Sequence, residues 1–157
     1  VVQANALADT IEEDLEFIRS RVASLKPIPA LIVFGREPNA IRNVYASGGV
    51  GFLHEMLEIA GGRNVFADVL SEAVHPSSEM ILVAAPEVIL ELRAEGVTEN
   101  GVMEEVAAWQ MLSTVPAVRA DRVHFLTGSE LVIPGPRVAE VTRRFAQLLQ
   151  PKAFGLP

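Results

Sequence analysis

The sequence predicts an α/β domain with a mostly parallel sheet flanked by helices. Three observations carry this. Short β-prone runs stand at residues 30–34, 88–92 and 122–126, long enough for strands and too short for helices. Stretches with apolar residues at intervals of three and four lie between and around them. Gly or Pro closes most of the junctions. A run that is apolar on both faces suits a strand covered on both sides, the habit of parallel sheets. Strand–helix alternation then suits right-handed crossovers.

Residues 4–25 read as an amphipathic helix, with Leu7, Ile11, Leu15, Ile18, Val22 and Leu25 recurring on one face. Glu12, Glu13 and Asp14 precede Arg19, Arg21 and Lys26, an order that suits the helix dipole. Pro27 and Pro29 end the helix. The run at 30–34 is a strand closed by Gly35, and residues 36–49 are a polar loop ending in Ser47-Gly48-Gly49. A second helix spans 50–60, with Val50, Leu53, Leu57 and Ala60 on one face and Gly61-Gly62 as its stop. Val65-Phe66 is a short strand. Ser77 caps a helix over 78–85, which Pro86 ends. A strand follows at 88–92, then a helix over 100–111 carrying Val102, Val106 and Trp109, then a strand at 122–126. Pro136 suits the first position of a last helix, 136–150, with Val138, Val141, Phe145 and Leu148 inside.

At 157 residues and half hydrophobic, the chain is large and apolar enough for one domain with a real core. A net charge of −7 argues against nucleic acid as a partner, because an acidic chain gains nothing from releasing phosphate counterions. No apolar run approaches the roughly 20 residues of a transmembrane helix. With no cysteine, disulfides, thiolate metal sites and Cys nucleophiles are excluded. The start at Val1-Val2-Gln3, with no Met and no visible signal peptide, suggests a mature or excised fragment.

In open α/β sheets, ligands bind beyond the carboxyl ends of the strands. Arg36, Glu37, Arg42, Asn43 and Tyr45 follow the first strand. Glu91, Arg93 and Glu95 lie at the end of the second long one, and Thr127, Ser129 and Glu130 follow the last. From this set Arg36, Tyr45, Glu91, Arg93 and Glu130 are the candidate ligand contacts. Tyr45 suits stacking on or ligating a metal-bearing ligand, and Arg36 and Arg93 suit bidentate pairing with carboxylate or phosphate. Each also reads simply as a solvated residue of a polar strand-end loop. The turn 47–52 could cradle a phosphate through backbone N–H groups, but His54 stands where the dinucleotide fingerprint needs its third Gly. A tight loop-to-helix turn explains it better. His54 and Glu58 share a helix face but make an incomplete metal set. Glu104-Glu105 reads as a solvated face, and no Gly-x-Ser-x-Gly elbow is present. Glu79 reads as a dipole-favoured residue at a helix start, or as a docking charge.

Several segments occur in an order that resembles a known family. They are Gly48-Gly49-Val-Gly-Phe-Leu-His-Glu-Met-Leu-Glu-Ile-Ala-Gly-Gly-Arg-Asn-Val-Phe66, Ser78-Glu79-Met-Ile-Leu, Ala85-Pro86-Glu-Val-Ile89, Trp109 with Val115-Pro116-Ala-Val-Arg119, Arg122-Val-His124 and Pro134-Gly-Pro-Arg137. Together they resemble the C-terminal lobe of class III periplasmic binding proteins of ABC importers, from about residue 5 onward. The block Leu-x-x-Ala-Gly-Gly-x-Asn-Val-Phe is the most specific part.

The resemblance implies a three-layer lobe over residues 28–157, with residues 1–27 as the tail of a helical interlobe connection. It implies a metal-chelate ligand (cobalamin, haem or a ferric siderophore) held between this lobe and an N-terminal lobe that the sequence lacks. It also implies an ABC permease as partner, with Glu79 matching the family's C-lobe docking glutamate. A periplasmic location, or a lipid anchor at the outer face of the cytoplasmic membrane, would follow. No catalysis and no cofactor are implied. The rivals are a flavodoxin-like nucleotide- or flavin-binding enzyme domain using the 47–52 turn, and an isolated lobe that self-associates, for example as a homodimer, through the apolar surface left by the absent lobe.

Overall fold

The computed structural model describes residues 2–93, 99–131 and 134–157. Glu95, one of the expected strand-end residues, lies outside the described residues. The elements run α1 (Val2–Val22), β1 (Ile28–Gly35), β2 (Tyr45–Ser47), α2 (Phe52–Ile59), β3 (Gly62–Asn64), β4 (Ala73–Val74), α3 (Ser78–Ala84), β5 (Val88–Arg93), α4 (Glu99–Ala108), α5 (Pro116–Arg119), β6 (Val123–Thr127) and α6 (Val138–Leu149). Tight 3-10 turns at Trp109–Leu112, Ser129–Leu131 and Pro151–Phe154 complete the path.

The sheet order is β4-β2-β1-β5-β6, with β3 also pairing β1. β1, β3, β5 and β6 pair in parallel, while β2 pairs antiparallel with both β1 and β4. The mostly parallel expectation therefore holds over the centre and one edge. The stretch 36–49 is not all loop, as expected, because its last residues form β2. Three residues are too few to show a two-residue period, so this strand had no signature.

Strand alternation divides the core between two faces of the sheet. Ala30, Ile32, Leu90 and Leu92 pack with Ile18 of α1, Met56 and Leu57 of α2, and Val141, Phe145 and Leu149 of α6. Leu31, Val33 and Ile89 pack on the other side with Ile81 of α3, Trp109, and Ala117 and Val118 of α5. The result is helix–sheet–helix in three layers. Only the second half of α1 joins this core through Ile18 and Val22, while Leu7 and Leu25 of its expected inner face are exposed.

Local sequence explains several boundaries. Ser77 Oγ accepts a hydrogen bond from the Met80 N–H at 3.2 Å and starts α3 as expected. Ala85 ends that helix in the left-handed conformation, φ 47°. α1 begins at Val2, so its three central acids fall mid-helix and only Arg19 and Arg21 in the last turn complement the dipole. Pro136 is not the first residue of α6. It sits in the turn before Val138, and Arg137 occupies the N-cap position.

His124, on edge strand β6, titrates below its ordinary value of 6.5. Burial of the ring is the main cause, and the neighbouring Arg122 charge adds to it. The folded state therefore resists protonating an imidazole that the unfolded chain protonates readily. Stability contributed by neutral His124 is complete above pH ~6.5, falls as pH drops below that, and levels off below the folded-state value. Thermal unfolding across this window should show that loss, and His124→Gln should remove it. An unchanged slope in the variant would contradict the assignment.

Candidate functional site

The glycine-rich turn is built by close approach, not by a ligand. A Cβ at Gly48 would stand 2.0 Å from the Ser71 carbonyl oxygen, and one at Gly49 would stand 1.9 Å from that of Ala67. Both amides are already used, Gly48 N–H to Glu72 O and Gly49 N–H to Val69 O. Asn64 locks the turn from β3. Its buried side-chain amide donates to Gly48 O at 2.9 Å and Ser47 O at 3.3 Å, and its oxygen accepts from the Phe66 N–H at 2.9 Å. The Gly-Gly and the Asn of the most specific sequence block thus serve one structural joint. The phosphate cradle imagined for this turn has lost two of its donors.

Beneath the C-terminal edge of the sheet, four charged side chains meet. Arg36 directly follows β1, and its side chain is fully buried. Its Nε lies 3.0 and 3.1 Å from the two oxygens of Glu91, which is wholly buried on β5. Arg36 also donates to the carbonyls of Glu37, Ala40 and Glu105, and reaches the Glu105 carboxylate at 2.8 Å. Arg93 donates to Glu91 at 2.6 Å and lies 3.6 Å from Glu105. The Trp109 indole N–H donates to Glu91 at 2.9 Å, and the Arg36 guanidinium stands 5.7 Å from the Trp109 ring. Two cations and two anions balance, as buried charges must.

This arrangement changes the reading of three residues. Glu91 and Arg36 face each other inside the lobe and present almost nothing to solvent. Glu105 is no solvated face, for its side chain is 13% exposed and paired with both arginines. Sequence did hold the clue, since Glu105 precedes the inward Trp109 by one helical turn and shares its face.

At the same end of the sheet lies an accessible surface. Tyr45 pairs with Gly35 across β1 and β2, which puts its half-exposed ring at the same strand ends. It stands 6.3 Å from Phe34 and meets His75 edge-on at 4.3 Å. A cleft of about 290 Å³ opens alongside, lined by Phe34, Val50, Gly51, Phe52, Leu53, Glu72 and Ala73. A second hollow of about 360 Å³ lies against Tyr45 and His75 on the other side. Gly51, with φ 92°, turns the chain into α2, so the start of that helix forms one wall. Sequence reasoning found Tyr45 but not these apolar partners, because apolar residues beside core positions carry no separate signal.

The remaining candidates are scattered. Glu130 is part-buried beyond β6, with Arg144 at 3.7 Å. Glu37 pairs with Arg42 at 3.3 Å and also contacts the Asn43 side chain. His54 lies 3.4 Å from the Asn64 amide, and the described residues hold no group of three metal-binding side chains. Glu79 is exposed at the start of α3. Its carboxyl is held below the ordinary range by a hydrogen bond to its own backbone and one to Ser77, so it stays ionised.

Comparison with known proteins bears on family and fold. A family model described as "Periplasmic binding protein" matches residues 2–130. A vitamin B12-binding protein of Yersinia pestis (strain Pestoides F) is 25% identical over 131 residues, covering 83% of this chain and 44% of that protein. One from Photorhabdus laumondii is 30% identical over 88 residues, covering 56% of this chain and 30% of that protein. The chain thus spans less than half the length of these relatives. Among solved structures, an ABC transporter substrate-binding protein from Listeria monocytogenes superposes with a TM-score of 0.82 at 21% identity, over 96% of this chain and 58% of that one. A protein of an ABC-type Fe3+-hydroxamate transport system from Saccharomonospora viridis gives 0.80 at 22% identity, over 94% and 49%. At these identities the superpositions show a shared fold.

The charge cluster makes a direct prediction. Glu91→Gln leaves Arg36 and Arg93 with one carboxylate between them and should cost on the order of 3–5 kcal/mol. Replacing Arg36 by Met and Glu91 by Leu together should cost far less, since neither charge is then stranded. Urea denaturation with an unchanged slope reads both values. A single-variant cost near that of a surface ion pair, below about 1 kcal/mol, would contradict the geometry.

Proposed function

The chain belongs to the periplasmic binding protein family, and we propose that it is the C-terminal ligand-binding lobe of an ABC importer's substrate-binding protein. One observation carries the reading: an accessible aromatic and apolar cleft stands at the C-terminal edge of β1. Ligands of open α/β sheets bind at such edges. Relatives and structural neighbours are described as binding vitamin B12, Fe3+-hydroxamate transport and haem proteins, so the ligand proposed here is cobalamin, haem or a ferric siderophore.

In this reading residues 28–157 are the lobe, and residues 1–27 lead into it from a preceding lobe. The exposed first half of α1 supports that division. Tyr45 touches the ligand directly, and Glu130 stands on the rim, while Arg93 is held by Glu91 and Glu105. Arg36 and Glu91 hold the strand ends together from within the lobe. Glu79, charged and exposed, meets a basic site on the permease, where a rim charge sets encounter rate and register. The protein works outside the cytoplasmic membrane and performs no chemistry on its ligand. A lipid anchor is compatible with this role.

A flavin or nucleotide domain is less well supported, because the turn that would hold phosphate spends its Gly48 and Gly49 amides on the chain itself. Thermal unfolding separates the two. A chelate at a hundredfold above its Kd should add about 2.7 kcal/mol, raising the midpoint by roughly 5–10 °C for a chain of this size. A rise with FMN or a nucleotide, and none with cobalamin, haemin or a ferric siderophore, would replace this reading by the enzyme domain.

A further inference from the structure

Most cationic side chains at this edge already face a carboxylate. Arg36 and Arg93 share Glu91 and Glu105, Arg42 is held by Glu37, and Arg144 lies against Glu130. Both lysines, Lys26 and Lys152, lie far from this edge, beside Gln150 near the end of α6. Among the described residues lining the cleft, the charged one is Glu72, an acid. Its neighbours Phe34, Val50, Phe52 and Leu53 offer apolar surface, and the Tyr45 and His75 rings line the adjacent hollow. Arg137, exposed before α6, is the remaining cation of this end with no carboxylate partner among the described residues.

We propose that this cleft selects an uncharged metal chelate with an apolar or aromatic flank, and rejects polyanionic chelates. The inference rests on the binding-lobe reading above and narrows it. A polyanion seated here would lose hydration against apolar walls, face the Glu72 carboxylate, and find no cation among the described lining residues. An uncharged chelate loses little hydration and covers the aromatic and aliphatic surface that the lobe leaves open. Binding of that kind depends on buried apolar area, so salt affects it little. Freeing Arg36 for an anion would strand Glu91 inside the lobe, which keeps the preference fixed by the fold itself.

The test titrates the purified chain by calorimetry with cyanocobalamin, an uncharged ferric trihydroxamate and a trianionic ferric tris-catecholate, at low and at high salt. An uncharged chelate should bind at least about tenfold tighter than the tris-catecholate, a difference of ~1.4 kcal/mol. Its affinity should hold as salt rises. Val50→Asp, at an exposed position of the cleft wall, should weaken it by roughly tenfold, while Arg137→Ala should leave it unchanged. Tightest binding by the tris-catecholate, weakened by salt and by Arg137→Ala, would overturn this inference and leave the binding-lobe reading standing. Binding of none of the three would overturn both.

Discussion

The Arg36–Glu91 pair, with Arg93 and Glu105 closing it, is the constraint on which the working edge of this lobe depends. A wholly buried carboxylate on the second strand from the sheet's edge is tolerable only if its partners arrive in full. They come from three places: the end of β1, β5 itself, and the face of α4 that continues into Trp109. Each element alone would carry a stranded charge into an apolar layer. Together they fix where β1 ends, where α4 lies, and hence where Tyr45 and Phe34 stand. The cluster costs desolvation, and what it returns is a single defined arrangement of strand ends.

A second joint works by steric exclusion instead of charge. Gly48 and Gly49 leave no room for a Cβ, and Asn64 ties their carbonyl side to the end of β3. The start of α2, and with it Val50, Phe52 and Leu53, is therefore carried on a rigid turn. The two joints flank the cleft from opposite faces of the sheet. Neither lines the cleft broadly, yet the turn sets the geometry of the residues that do. Positioning from behind is what keeps a binding surface preformed and limits the ordering entropy lost on association.

Much of the fold was legible in the sequence because its signals are periodic and local. The apolar run at 30–34, the three-four spacing of Val141 and Phe145, and the Ser77 cap each state their structure within a few residues. β2 and β4 were not legible, since two- and three-residue strands exist only through pairing. The strand-end rule brought Arg36, Glu91 and Arg93 forward, but charge in a sequence carries no sign of burial, so it could not show that Arg36 and Glu91 face each other inside the lobe. Glu105 was read as solvated for the same reason. The Tyr45 ring lies half-exposed beside the β1 terminus because β2 pairs there.

If the C-terminal edge of β1 is the ligand face, amide chemical-shift mapping of the labelled chain with cyanocobalamin should perturb Phe34, Tyr45, Val50, Phe52 and Leu53 and leave Arg122, His124 and Lys152 at the opposite end unchanged. Perturbations centred on that opposite end, where Arg122, His124 and Lys152 line a separate groove, with a silent β1 terminus, would contradict it.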